Sequence, residues 1–267
     1  DAKYFLENAE LEYVSDSWSK TCLQWREDWP VFLPEHMDDT DGISFYGFMK
    51  VLSGCMGDDD IVVSDAGSAY YVSSQAVHLD KNQRYITSGA QADMGFTLPA
   101  CIGVSVAREG KNVIGIVGDG SFQLNMQEIQ TMVHNKLPVK MFVWNNNGYL
   151  SIRTTQRKFF DDGFIGTDVD SGISFPDLSK IAYAYGVKYV NVSEIDNLED
   201  KINETMSHDG PVICEVMCKE WDEVLPTIGS KKLPDGKMFS RPLEDMYPFL
   251  TREEFLSKMI IKPLQEN

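Results

Sequence analysis

The sequence predicts an α/β fold, a doubly wound parallel sheet with helices on both faces. Three observations lead there. Val113-Ile114-Gly115-Ile116-Val117 is a β-branched run of strand length that stops at Gly118-Asp119-Gly120. Leu124, Ile129, Met132 and Val133 then keep a roughly helical spacing until Leu137-Pro138. A second strand-like run, Val139 to Trp144, ends on Asn145-Asn146-Asn147-Gly148. Strand, turn, helix and strand make a βαβ unit whose two loops share one edge of a parallel sheet.

Residues 1–40 contain a helical start, Trp18, Trp25 and Trp29 at spacings suited to a packed helix, then Pro30, Pro34 and an acidic turn at 38–42. They are expected to be the linker or tail of a preceding middle domain. Residues 41–225 form the binding domain and 226–267 a C-terminal extension. In the binding domain, Ile43 to Met56 reads as a helix, 61–64 as a buried strand and Ala69 to Val77 as a helix. Tyr85-Ile86-Thr87 reads as a short strand. Leu150 to Phe160 is helix and loop, followed by a glycine- and aspartate-rich loop at 161–172. Phe175 to Tyr185 is a helix, 187–190 a strand, Asn197 to Ser207 a helix and Pro211 to Val216 the last strand. Residues 226–250 read as an extended tail.

With 24 Lys+Arg against 41 Asp+Glu, a net charge of −17, an electrostatic nucleic-acid footprint is excluded. An anionic ligand must therefore be held by a metal and oriented amides. No run is long and apolar enough to span a membrane, and the five cysteines are scattered with no zinc spacing, which fits reduced thiols in a cytoplasmic protein.

Open α/β sheets bind ligands at the carboxyl edge. There Asp119 offers a carboxylate, Asn146 an amide oxygen, and the Asn147-Gly148 turn a carbonyl. Three hard oxygens suit octahedral Mg²⁺, and the Gly120-Ser121 amides can hold a diphosphate's remaining charge. A plain βα turn and an ordinary Asn-Gly turn are the structural alternative.

Gly-Asp-Gly, 24 residues (121–144) and Asn-Asn within one strand-helix-strand frame resemble the motif of thiamine-diphosphate enzymes such as acetolactate synthase and pyruvate decarboxylase. The resemblance implies Asp119, Asn146 and the Gly148 carbonyl as Mg²⁺ ligands, with Gly118, Gly120, Ser121 and Tyr149 around the diphosphate. It adds a contact at Gly67 or Ser68. The segment from Ser88 to Gly103 (SGAQADMGFTLPACIG) is similar to its acetolactate-synthase counterpart. By that likeness Met94 wedges the cofactor into its bent form and the Ala92 carbonyl accepts from its amino group, although helix-core packing would also explain Met94. Arg241 to Met246 resembles that branch's C-terminal PLEDM segment.

Asp93, Arg153 and Gln156 are weaker candidates for meeting substrate; Asp93 departs from the small residue expected there, and a solvated helix face would equally explain Arg153 and Gln156. The Gln-Trp pair of acetolactate synthases and the glutamate of pyruvate decarboxylases are both missing after Tyr149. The resemblance implies a carboligase acting on a 2-oxo acid, with a simple decarboxylase or a non-enzymatic metal- or nucleotide-binding module as alternatives. It implies a general-acid glutamate from a separate pyrimidine-binding domain, so this chain is expected to be a fragment or one subunit, inactive alone and assembling as a dimer or tetramer. A flavin (FAD) requirement stays open, with no residue indicating one.

Overall fold

In a computed structural model, residues 2–10, 16–38, 40–80, 82–232 and 238–263 are described. Two helices, α1 (Ala2–Asn8) and α2 (Asp16–Asp28), and a 3₁₀ turn at Pro34–Met37 precede the sheet. Neither helix buries a residue among those described. The binding region begins with α3 (Phe45–Cys55), β1 (Ile61–Ser64), α4 (Gly67–Ala76), β2 (Arg84–Thr87) and α5 (Thr97–Ala107). It continues with β3 (Val113–Gly118), α6 (Asp119–Phe122), a 3₁₀ segment at Gln123–Glu128, α7 (Ile129–His134) and β4 (Val139–Asn145). Then come α8 (Leu150–Phe159), α9 (Leu178–Tyr185), β5 (Lys188–Val192), α10 (Leu198–Met206) and β6 (Val212–Met217).

The six strands pair in the order β2-β1-β3-β4-β6-β5, every pairing parallel. Alternate strand residues feed two apolar layers, as the twofold period of a strand requires. Val62, Ile114, Ile116, Phe142, Trp144, Cys214 and Val216 pack with α3, α4 and α10. Val63, Val113, Val117, Val139, Met141, Val143 and Ile213 pack under α5, α7 and α9. Helices therefore cover both faces, as predicted. β1 and β3 are neighbours from which the chain winds in opposite directions, so the crevice between their carboxyl ends is the topological switch point.

Several boundaries moved for local reasons. The helix predicted from Ile43 starts two residues later, because Ser44 caps it through Tyr46 N (3.2 Å) while Ile43 bridges Cys218. The helix predicted from Phe175 starts after Asp177, whose carboxylate accepts from Ser179 N and Lys180 N. The helix after the Gly-Asp-Gly turn is broken at Asn125, where φ is −132°. The supposedly extended tail holds a hairpin of β7 (Ser230–Lys232) and β8 (Met238–Ser240) and a final helix α11 (Arg252–Lys258). Asp245, buried within it, is clasped by Arg241 and Arg252 at 2.5 and 2.7 Å. Residues 1, 11–15, 39, 81, 233–237 and 264–267 lie outside the described set, so parts of the predicted arm, acidic turn and tail do too. No described helix is long and apolar enough to cross a membrane.

Candidate functional site

At the carboxyl end of β3 the chain turns into α6 and buries Asp119, which is 5% exposed. Its carboxylate accepts from Gly120 N at 2.6 Å and from Gly148 N at 3.0 Å, which ties the β3 and β4 turns together. Burial lifts its pKa from the usual 3.8 to about 6, a rise that the Gly120, Gly148 and Asn146 amides partly offset. A carboxylate held this way, with no lysine or arginine bonded to it among the described residues, is a natural ligand for a cation.

The β4 turn is fixed from below. Asn145 accepts from Asn147 N (3.1 Å) and donates to Glu215 (2.6 Å), whose other oxygen accepts from the Tyr189 hydroxyl. Asn147 and Gly148 both have positive φ, 55° and 149°. A side chain at Gly148 would lie 2.1 Å from the Thr167 carbonyl oxygen, which itself accepts from Tyr149 N at 2.8 Å. The 161–172 loop thus closes over this turn.

The Asn146 side-chain amide, 5% exposed, lies 3.0 Å from the Gly148 oxygen and 3.1 Å from Arg153 Nη2, and both contacts are hydrogen bonds when its Nδ2 donates to the Gly148 oxygen and its Oδ1 accepts from Arg153. Oxygens bound to Mg²⁺ at about 2.1 Å along one octahedral edge are about 3.0 Å apart; with the Asn146 amide turned so that Oδ1 faces the Gly148 oxygen the pair would have that spacing, so the donor set fits the ion. The glycines divide the remaining work. A Cβ at Gly118 would meet nothing within 4 Å, so backbone is bare to the crevice there. A Cβ at Gly120 would fall 2.1 Å from Tyr149 Cε1, so the tyrosine ring leaves no room for a side chain there. Ser121 is buried at the same turn.

Across the switch point lies the turn carrying Met94. Ala92 and Gly95 adopt positive φ, 52° and 81°. Asp65, fully buried at the end of β1, accepts from Gly95 N (3.2 Å) and Thr97 N (3.0 Å), and Asn125 donates to the Gly95 oxygen at 2.8 Å. Met94 is 38% exposed, so it is not a helix-core residue. Asp93 is exposed and accepts from the Ser88 hydroxyl. Gly67 and Ser68 open α4 after an Ala66 cap that makes no side-chain bond, and a Cβ on Gly67 would lie 3.2 Å from Ser151 Oγ in α8.

Two candidates face elsewhere than the sequence suggested. Arg153 is 2% exposed, and its Nη2 donates to the main-chain oxygens of Asn146 (3.0 Å) and Glu220 (2.9 Å). It braces the turn from inside instead of reaching out to substrate. Gln156 holds both polar groups of Ile165 at 3.1 and 3.2 Å, which pins the 161–172 loop. Asp65, Asn125 and Glu215 were missed. Asp65 carried one signal, a charged residue ending an apolar strand in front of a small-residue turn.

The family model for the thiamine pyrophosphate enzyme C-terminal TPP binding domain matches residues 65–216, from the end of β1 to β6. The chain belongs to the thiamine pyrophosphate enzyme family. Among curated relatives, it is 30% identical over 216 residues to the acetolactate synthase large subunit of Porphyra purpurea, covering 81% of this chain and 35% of that protein. It is 32% identical over 206 residues to acetolactate synthase of Arthrospira platensis, covering 77% of this chain and 34% of that one. With the acetolactate synthase isozyme 2 large subunit of Escherichia coli (strain K12) it shares 29% over 237 residues, 86% of this chain and 40% of that one. The chain thus spans 34 to 40% of the length of these relatives. Within the family it falls on the acetolactate-synthase-like branch.

Proposed function

We propose that this chain carries the diphosphate and Mg²⁺ half of an acetolactate-synthase-like carboligase, which decarboxylates a 2-oxo acid and joins the remaining acyl unit to a second carbonyl compound. The observation that carries this reading is the convergence of three oxygen-bearing groups, the Asp119 carboxylate, the Asn146 side-chain amide and the Gly148 carbonyl, beside bare backbone at Gly118. These three oxygens would hold the ion, and the amides that open α6 and α4, with Ser121 and Ser68, would take the diphosphate oxygens. Bound thiamine diphosphate supplies the electron sink for decarboxylation. Met94, on a turn fixed by Asp65 and Asn125, would set the conformation of the bound cofactor, and the Ala92 carbonyl would accept from it. Asp93 reaches solvent on the same turn and can meet substrate.

Residues 41–225 are then the cofactor-binding unit, with residues 1–40 and 226–267 as flanking arms. Met94, Leu124, Ile152 and Ile165 leave apolar surface around the site, exposed by 38, 54, 45 and 79%. That surface suits cover by a pyrimidine-binding domain or a second subunit, from which the general-acid glutamate would come.

The test uses the full protein with pyruvate as probe. Thiamine diphosphate should bind only with Mg²⁺ or Mn²⁺ present, and Asp119→Ala should abolish that binding. Loss of carbon dioxide with an acyloin-type product supports the carboligase, and free aldehyde instead supports a decarboxylase. Unchanged affinity in EDTA or in Asp119→Ala would sink both.

A further inference from the structure

Asn145 stands one residue before Asn146, and its own side-chain amide admits a single orientation. Glu215, 8% exposed on β6, presents two carboxylate oxygens that only accept. One takes the Tyr189 hydroxyl from β5, and the other takes Asn145 Nδ2 at 2.6 Å. Burial and the neighbouring Glu215 push the Tyr189 phenol upward, so it keeps its proton and stays the donor. Asn145 Oδ1 is thereby turned to the main-chain N–H of Asn147, from which it accepts at 3.1 Å. That N–H can only donate and the carboxylate can only accept, so each end of the amide is fixed by its partner.

The last bond lands on the strained part of the turn. Asn147 and Gly148 hold φ of 55° and 149°, and Asn147 carries a side chain in a region that favours glycine. The Asn145 bond opposes relaxation of Asn147 out of that conformation. We infer that Glu215 is a positioning residue for the metal site: acting through Asn145, it holds the turn that presents Asn146 and the Gly148 carbonyl to the ion. The inference rests on the metal reading of those two groups. Two plainer roles make different forecasts. A Glu215 that served only the fold would leave metal affinity unchanged in variants that fold. A Glu215 that acted by its charge would weaken cation binding equally when replaced by Gln or by Met. Positioning needs the acceptor and not the charge. Gln keeps an oxygen for Asn145 Nδ2 and can donate to the Tyr189 oxygen, whereas Met does neither.

The test is Mn²⁺ binding without thiamine diphosphate, followed by electron paramagnetic resonance in the full protein. Affinity should weaken about tenfold in Glu215→Met, the worth of one buried hydrogen bond, and stay within about threefold of wild type in Glu215→Gln. Asn145→Ala should weaken it as much as Glu215→Met does. The double variant should be no weaker than either alone, because both act through one bond. Unchanged affinity in a folded Glu215→Met, equal losses in the Gln and Met variants, or additive losses in the double variant overturns the inference. Should Glu215→Met not fold, Asn145→Ala decides, and wild-type affinity there overturns the relay. Asp119→Ala serves as the control. If it binds Mn²⁺ as wild type does, the metal reading falls and the inference with it. If it loses Mn²⁺ while Glu215→Met and Asn145→Ala keep it, only the relay falls.

Discussion

Gly118 and Gly120 flank the same aspartate, and alanine should separate their roles. At Gly118, φ is −75° and ψ 158°, which any residue adopts, and the new methyl would meet nothing within 4 Å. Alanine stiffens the unfolded chain, a gain of about 0.4–1 kcal/mol, and loses glycine's advantage at a helix cap, about 0.5 kcal/mol. Stability should therefore stay within about 1 kcal/mol of wild type, a Tm change of no more than about 4 °C at this size. The same methyl would project where the diphosphate approaches the backbone. Crowding a close contact costs about 1–3 kcal/mol, so the Kd for thiamine diphosphate with Mg²⁺ should rise about 5- to 150-fold. Gly120→Ala should do the reverse. Its Cβ would sit 2.1, 2.5 and 2.8 Å from Cε1, Cζ and the hydroxyl oxygen of Tyr149, so that side chain must shift and folding should lose about 1–3 kcal/mol or more. Thermal unfolding of metal-free protein reads the first quantity and titration calorimetry the second. A Gly118→Ala protein that binds the cofactor like wild type would refute the cradle.

Met94→Ala, at a residue 38% exposed, should cost under about 1 kcal/mol of stability yet lower kcat more than cofactor affinity; equal rates would return Met94 to a packing role. Asp65→Ala should strand the Gly95 and Thr97 amides, cost about 2–4 kcal/mol by denaturant unfolding and depress kcat along with Met94→Ala. Lys140, buried in β4 with Nζ on the His208 and Gly210 carbonyls, has its pKa pulled by burial from 10.5 to about 8. Its folded pKa lies below its unfolded one, so the unfolded chain binds the extra proton between those values. Stability should rise across that pH window by on the order of 1–2 kcal/mol, and Lys140→Met should remove the rise in pH-dependent melts.

The sequence by itself determined what local chemistry encodes. Apolar runs of strand length, helical spacing between them and glycine or asparagine at their ends were enough for the α/β class and for placing Asp119 and Asn146 at one edge. The spacing of Gly-Asp-Gly and Asn-Asn within one βαβ frame was enough for the family. Only the tertiary structure decided which polar side chains face the crevice. Arg153 and Gln156 sit on one helix at a spacing that gives no hint of inside or outside, and contacts with Glu220 and Ile165 turned them both to bracing. Asp65 and Asn125 each grip Gly95 from 30 residues away along the chain, and Glu215 holds Asn145 across 70. Such bonds exist only once β1, β3, β4 and β6 lie side by side, because strand pairing, not sequence proximity, brings their carboxyl ends together.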